Sequence, residues 1–147
     1  MPGASPVGRF TRRERVRKRR EFEAAQKAGR RVTTSHFVLL LHAREEEAGP
    51  LRLGIVASRK VGTAVRRNRA KRLVREAFRA TRDLFQPGID LVVIVRRPLE
   101  QMKLADVASE WQSVAAIVSR RIDEARTDRA RRAAGGAAGA PGEKTAP

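Results

Sequence analysis

Residues 59–82 constrain the fold of this chain more than any other stretch. They read RKVGTAVRRNRAKRLVREAFRATR and hold ten lysines and arginines against a single acid, Glu76. On a helical wheel at about 100° per residue, the apolar and the basic residues separate onto opposite sides. The apolar side consists of Ala70, Leu73, Val74, Ala77 and Phe78, with Leu84 just beyond the stretch. We therefore predict an amphipathic helix that buries one side and presents dense positive charge on the other.

The overall charge points to a polyanionic partner. The chain has 147 residues, the size of a single domain, and a net charge of +17. The positive charges of such a domain repel one another unless a bound anion neutralises part of them. No segment approaches the roughly 18 apolar residues of a membrane-spanning helix, which disfavours a membrane. The absence of cysteine excludes disulfides and thiolate metal sites and fits the reducing cytoplasm. Aromatic residues make up only 4%, so contacts to a nucleic-acid backbone are favoured over base stacking.

Three apolar stretches alternate in the manner of strands, at residues 36–43, 51–58 and 89–96. The first has one apolar face formed by Phe37, Leu39 and Leu41, which we assign to the core. The first two strands are predicted to pair as an antiparallel hairpin. The third stretch is apolar on nearly both faces and is expected in the middle of the sheet. A short fourth strand is predicted at residues 60–61.

Helices are predicted before and after these strands. The first covers residues 18–28 and ends at Gly29, and the last begins after Pro98, with Trp111 on its apolar stripe. The predicted fold is a single α+β domain with a mixed four-stranded sheet, in the order α-β-β-β-α-β-α. We assign residues 1–13 to a flexible basic arm, residues 14–124 to the domain, and residues 125–147 to a disordered tail rich in Ala, Gly and Pro.

The second face of the sheet is predicted to be wetter and to form a shallow trough. Its floor and walls are expected to include Phe22, Val38, Leu40, Val56, Ser58 and Lys60.

No catalytic residue and no metal ligand is predicted in the chain. His36 and His42 lie six residues apart on one strand, or about 20 Å, which is too far to share a metal. The acids form no cluster of the kind that holds two metal ions, and no glycine-rich phosphate loop is present.

The basic helix is instead predicted to bind RNA. Each phosphate that a lysine or arginine neutralises releases counterions, and the arginine fork can hold a phosphate through two hydrogen bonds. An ordinary solvated face is the alternative, but such a face normally has acids interspersed. The candidate RNA-contacting residues are Arg59, Lys60, Arg66, Arg67, Asn68, Arg69, Lys71, Arg72, Arg75 and Arg79.

The motif Arg67-Asn68-Arg69, followed by Lys71-Arg72-Leu73 and Arg75, resembles the signature of the bacterial ribonuclease P protein component. The resemblance runs over residues 15–118 and includes REFEAAQKAGRRV, HFVLL and IDLVVIVRRP. It implies a small subunit with a left-handed β-α-β crossover that binds a large catalytic RNA. By the same resemblance, the RNA would supply the active site and hold most of the Mg²⁺, and the complex would remove the 5′ leader from precursor tRNA.

The resemblance also implies roles for residues and partners. The cations around Asn68 would contact ribonuclease P RNA, and the trough would take the single-stranded leader of precursor tRNA. Gln26 and Leu40 depart from the aromatic residues of some family members, which implies weaker stacking on the leader. Neither a membrane nor a protein partner is expected. A ribosomal or general RNA-binding protein and a stand-alone nuclease are the alternative functions.

Overall fold

A mixed sheet of four strands organises the chain in the computed structural model, which describes residues 12–45 and 49–137. The strands are β1 (Arg30–Thr33), β2 (Phe37–Ala43), β3 (Arg52–Ala57) and β4 (Ile89–Val95). The helices are α1 (Arg19–Ala28), α2 (Ala64–Ala80), α3 (Leu104–Gln112) and α4 (Ala115–Ala137), with 3-10 turns at Arg12–Glu14, Arg59–Val61 and Arg82–Leu84. The predicted α+β fold is confirmed, and the last predicted helix is divided into α3 and α4.

The order of strands in the sheet is β1-β2-β4-β3, so β4 lies inside the sheet as predicted. The hairpin predicted between β2 and β3 is wrong, because β4 separates them. β4 pairs antiparallel with β2 and parallel with β3. In the middle of a sheet, the apolar side chains of a strand are flanked by those of two neighbouring strands, so more of their surface is removed from water. This burial explains why β4, which is apolar on both faces, lies inside the sheet. β3, α2 and β4 form a parallel crossover, and its left-handedness stays a prediction.

The strand predicted at residues 60–61 is also wrong. These residues belong to the 3-10 turn Arg59–Val61, which Ser58 caps by accepting a hydrogen bond from the Lys60 N–H at 3.3 Å. Gly62 then leaves the turn with a φ of 133°, a conformation that side chains other than glycine rarely adopt. The remaining strand is β1, a short segment in which only Val32 is buried.

The main core lies on the sheet face predicted from Phe37, Leu39 and Leu41, and all three are buried there. Helices α2, α3 and α4 cover this face. Trp111 is fully buried, as predicted, and its ring centroid lies 5.6 Å from that of Phe37 and 5.9 Å from that of Phe85. The predicted apolar side of α2 contributes Ala70, Leu73, Val74, Ala77 and Phe78 to the same core.

Helix α1 crosses the second face of the sheet and forms a smaller apolar cluster with it. Ala25 of α1 is buried with Leu40 and Val92, and Phe22 packs beside them. Gly54 of β3 makes room for Phe22, because a Cβ atom at this position would lie 2.7 Å from the Phe22 ring.

A buried ionic cluster fastens α1 to the sheet. Asp90 on β4 accepts hydrogen bonds from Arg44 at 2.7 Å and from Arg52 on β3 at 2.8 Å through each carboxylate oxygen. Arg52 also lies 3.3 Å from Glu21 of α1. The cluster therefore connects α1, β3 and β4. Each charged group in it has a partner of opposite charge, so no buried ion is left unpaired.

Helix α4 corrects the predicted domain boundary. It continues to Ala137, so the prediction of a disordered tail is wrong for residues 125–137, and residues 138–147 lie outside the described part. Ala125 is buried, and Asp128 accepts two hydrogen bonds of 2.9 Å from Arg30 on β1. Frequent alanine and arginine, which favour helices, together with these contacts explain why the segment is ordered without a long apolar stripe.

The predicted N-terminal arm, residues 1–13, falls almost entirely outside the described residues, which begin with the turn Arg12–Glu14. Within the described ranges, no helix is both long and apolar enough to cross a membrane.

Candidate RNA interface

The local sequence fixes where α2 begins and which side faces solvent. Thr63 caps the helix by accepting a hydrogen bond from the Arg66 N–H at 3.3 Å. Because the apolar side is buried against the sheet, the opposite side is exposed or half-exposed, as for Asn68, Arg72 and Arg79. Arg59 and Lys60 are exposed on the 3-10 turn that leads into α2. The two-sided helix predicted from the sequence is therefore present.

Much of the positive charge on α2 has no carboxylate counterion in the part of the chain that the structure describes. Within residues 12–45 and 49–137, five predicted cations of α2 have neither a carboxylate within ion-pair distance nor a hydrogen bond to the loop after β4. These five, which we call the open cations, are Arg67, Lys71, Arg72, Arg75 and Arg79. Partial burial, followed by the positive charges of Arg15, Arg72 and Arg79, lowers the pKa of Arg75. Like charges held this close favour an anionic ligand, which would relieve their repulsion.

Two predicted RNA-contacting arginines have partners in the loop after β4, whereas Arg67, one of the open cations, donates only a long hydrogen bond of 3.4 Å to the Gly62 carbonyl. The Arg66 Nε lies 2.6 Å from a carboxylate oxygen of Glu100. Arg69 donates hydrogen bonds to the carbonyl oxygens of Leu99 at 2.9 Å and Met102 at 3.2 Å. The helical pattern could not distinguish these two arginines from the open cations, because their partners lie some 30 residues away in the loop after β4.

A groove beside α2 adds two basic residues that the predicted site omitted. Arg15 and Arg17 line a cavity of about 320 Å³ together with Lys71 and Arg75 of α2 and with Phe22 of α1. The segment before α1 is held there because the Val16 N–H donates to the Leu53 carbonyl on edge strand β3 at 2.9 Å. Arg15 and Arg17 are two residues apart, a spacing that places side chains on the same side of an extended segment. This spacing was the signal in the sequence that could have added both residues to the predicted site.

The predicted trough is only partly open. Leu40 is 1% exposed and Val38 is also buried, so neither side chain provides the accessible floor that was predicted. The physical reason is that α1 has an apolar side of its own, including Ala25, which it buries over Leu40. Phe22 is half-buried at the edge of this contact, next to the basic groove.

The accessible part of this face is a strip next to the Leu40–Val92–Gly54 row, which α1 covers. Strand register places Val38 opposite Ile94 and Ile94 opposite Val56, and both Ile94 and Val56 are half-exposed. Ser58 and Lys60 are exposed where β3 leads into the next turn. Ile94 was not among the predicted trough residues, although alternation in residues 89–96 could have placed it on this face.

The two histidines have separate structural environments. The His36 Nδ1 lies 2.8 Å from Glu110 on α3. Burial, together with the nearby charge of Arg132, lowers the pKa of His42, so the neutral imidazole is favoured. Among the described residues, no group of three or more His, Asp or Glu side chains is arranged to hold a metal ion.

Similar sequences point to one family. A family model described as Ribonuclease P matches residues 10–119. The Ribonuclease P protein component of Syntrophus aciditrophicus is 41% identical over 97 residues, which cover 66% of this chain and 80% of the relative. That of Thermotoga maritima is 46% identical over 92 residues, which cover 63% of this chain and 77% of the relative.

Solved structures agree with the sequences. The ribonuclease P protein from Staphylococcus aureus superposes with a TM-score of 0.61 at 32% identity, covering 71% of this chain and 94% of that protein. The Thermotoga maritima protein gives a TM-score of 0.60 at 37% identity and covers 70% and 96%. With a matching family model over most of its length and this common architecture, the chain belongs to the ribonuclease P protein family.

Proposed function

We propose that this chain is the protein subunit of ribonuclease P. In this proposal the open cations of α2 bind the catalytic RNA, and the basic groove and the exposed strip bind the 5′ leader of precursor tRNA. The RNA carries out the Mg²⁺-dependent cleavage that removes the leader. The observation that carries the proposal is the set of five adjacent cations without a carboxylate partner within the described ranges, on the helix that contains the Arg-Asn-Arg motif.

The protein's part in the reaction is electrostatic. The catalytic RNA and precursor tRNA are both polyanions, and they repel each other at the distance that cleavage requires. A protein of net charge +17 between them lowers this repulsion and reduces the Mg²⁺ needed for assembly. The proposal assigns the reactive Mg²⁺ to sites held mainly by the RNA, where it would activate water and stabilise the leaving group.

Leader binding would distinguish the substrate from the product. Half-exposed Val56 and Ile94 offer an apolar surface for an extended strand, and Lys60 supplies charge at its end. Phe22 lines the groove together with Arg17 and Arg75 and offers an aromatic side chain next to these cations. Because mature tRNA has no leader, it would lack these contacts and leave more readily.

Reconstitution tests the proposal. The purified protein, mixed with the RNA that copurifies with it, should cleave precursor tRNA at a Mg²⁺ concentration at which that RNA alone is inactive. The protein alone, after rigorous removal of RNA, should not cleave. Cleavage by the protein alone would indicate a stand-alone nuclease. Copurification of ribosomal RNA, with no stimulation of cleavage, would indicate a general RNA-binding protein instead.

A further inference from the structure

The loop between β4 and α3 presents an acidic residue at the RNA-binding side of α2. Leu99 and Met102 anchor this loop, since both side chains are buried and both carbonyls accept hydrogen bonds from Arg69. Arg96, at the start of the loop, donates to the Thr34 carbonyl at 2.7 Å. Glu100 lies between the two anchors, so its backbone is fixed relative to α2.

The carboxylate of Glu100 pairs with Arg66 but remains accessible. The two groups lie 2.6 Å apart, and their side chains are 42% and 58% exposed, respectively. An ion pair this exposed contributes little to stability, because water screens it and both side chains lose freedom. Its larger effect is on charge: the first turn of α2 contains no acid of its own, so Glu100 supplies the negative charge there.

We propose that Glu100 is a specificity-determining residue that weakens the binding of generic RNA at this end of α2. The inference rests on the proposed function, in which α2 binds RNA. A duplex of arbitrary sequence binds in many registers, and Glu100 weakens every register that needs Arg66 for a phosphate, because its carboxylate already occupies that guanidinium. The cognate RNA needs only one register, in which a group other than a phosphate can lie beside Glu100. Specificity then comes from a competing contact within the protein that penalises the wrong ligand.

The test compares Glu100→Gln with the unchanged protein on two RNAs. For a generic RNA duplex, we expect binding about 3- to 10-fold tighter, with a salt slope steeper by about 0.7–0.9, the contribution of one additional neutralised phosphate. For the copurified RNA, we expect a change of less than about 2-fold, because its register does not use Arg66 for a phosphate. Thermal unfolding of the variant should match that of the unchanged protein.

Two controls separate a local effect from a change in net charge. Asp123→Asn adds the same charge on exposed α4, where this side chain has no ion pair among the described residues, and it should leave duplex binding nearly unchanged. In an Arg66→Gln background, Glu100→Gln should lose most of its effect.

Equal tightening on both RNAs, weaker binding by Glu100→Gln, or an undiminished effect in the Arg66→Gln background would overturn the proposal. Failure of the proposed function would instead be seen with the unchanged protein, as an inability to stimulate precursor cleavage.

Discussion

Arg69 and Arg72 lie almost one turn apart on α2, yet they differ in what their guanidinium groups contact. Arg69 donates to two carbonyl oxygens of the loop after β4, whereas Arg72 is exposed and is one of the open cations. A phosphate contact by Arg69 would have to share or replace donors that hold the loop. The two residues therefore form a matched pair for separating stability from RNA binding.

Arg69→Ala should lower the free energy of unfolding by about 1–2 kcal/mol, because two hydrogen bonds from a charged donor are lost. Arg72→Ala should change it by less than about 0.5 kcal/mol, as for most exposed positions. Conversely, Arg72→Ala should reduce the salt slope of RNA binding by about 0.7–0.9, and Arg69→Ala should leave the slope nearly intact. Urea unfolding and salt titrations measure both. A reversed ranking would show that Arg69 is the phosphate contact.

At the scale of single residues, sequence reasoning succeeded where periodicity alone decides the environment. The side of α2 that is buried, the core position of Trp111 and the alternation within β2 all follow from spacing. Predictions of residue environment were wrong or incomplete where an element distant in the sequence determines the burial or the hydrogen-bond partners of a residue. Leu40 is buried because α1 lies over it, and nothing in residues 36–43 indicates that cover. A helical wheel of α2 likewise cannot predict the carbonyl partners of Arg69, because they lie outside the helix.

Among the elements, α3 is fastened to the turn before β2 through one carboxylate. Glu110 accepts hydrogen bonds from the Thr34 hydroxyl at 2.6 Å and from the His36 backbone N–H at 2.8 Å, and it also contacts the His36 ring. Burial alone would raise the pKa of Glu110, but these hydrogen bonds outweigh it and hold the pKa below the ordinary 4.5.

This geometry predicts an acid-dependent contribution to stability. Because the pKa of Glu110 is lower in the folded than in the unfolded chain, its stabilisation is complete above pH 4.5 and is lost as pH falls through the folded value. Glu110→Gln should cost about 1–2 kcal/mol near neutral pH. The difference in unfolding free energy between the two proteins should then shrink in acid. Urea unfolding across this range measures it, and a difference independent of pH would contradict the assignment.

The C-terminal half of helix α4 should contribute to the stability of the domain. A chain ending at residue 124 loses the Arg30–Asp128 pair, buried Ala125 and the hydrogen bond from Arg132 to the Ala43 carbonyl at 2.7 Å. Its thermal midpoint should fall by about 3–8 °C. A chain ending at residue 137 retains these contacts and serves as the control. Equal midpoints would mean that residues 125–137 contribute no stability.

The elements that sequence reasoning misplaced share a physical cause. β1 and the 3-10 turn Arg59–Val61 are too short for periodicity to identify, and pairing partners decide whether such segments become strands. The predicted β2–β3 hairpin rests on the adjacency of the two strands in the sequence. In the structure β4, which follows α2 in the chain, lies between them. Long periodic elements such as α2, β2 and β4 were predictable because their own residues determine them.

For the whole molecule, the net charge of +17 makes stability depend on the surrounding ions. Like charges across the surface oppose the compact state, and salt screens them over a Debye length of about 10 Å at 0.1 M. Raising NaCl from roughly 50 to 300 mM should therefore raise the thermal midpoint. The Arg44–Asp90 pair is buried and should be screened less than the exposed surface. A midpoint that falls with salt would show that ion pairs outweigh the net repulsion.

A polyanion should stabilise the protein at far lower concentration than simple salt, because it binds the folded surface directly. Inorganic polyphosphate in place of NaCl, compared in the same melting experiment, distinguishes this binding from general screening. Replacing Arg67, Arg72 and Arg75 together by alanine should remove much of the polyphosphate effect while keeping the response to NaCl.

The burial of Trp111 has a practical consequence. It is the only tryptophan, and the chain has no tyrosine, so near-ultraviolet excitation reaches essentially one indole ring, packed between Phe37 and Phe85. Its emission wavelength reflects whether water has entered the interior, and an RNA that docks on the outside leaves that wavelength unchanged. The protein thus has a built-in optical reporter that records melting separately from ligand titration, without an added dye.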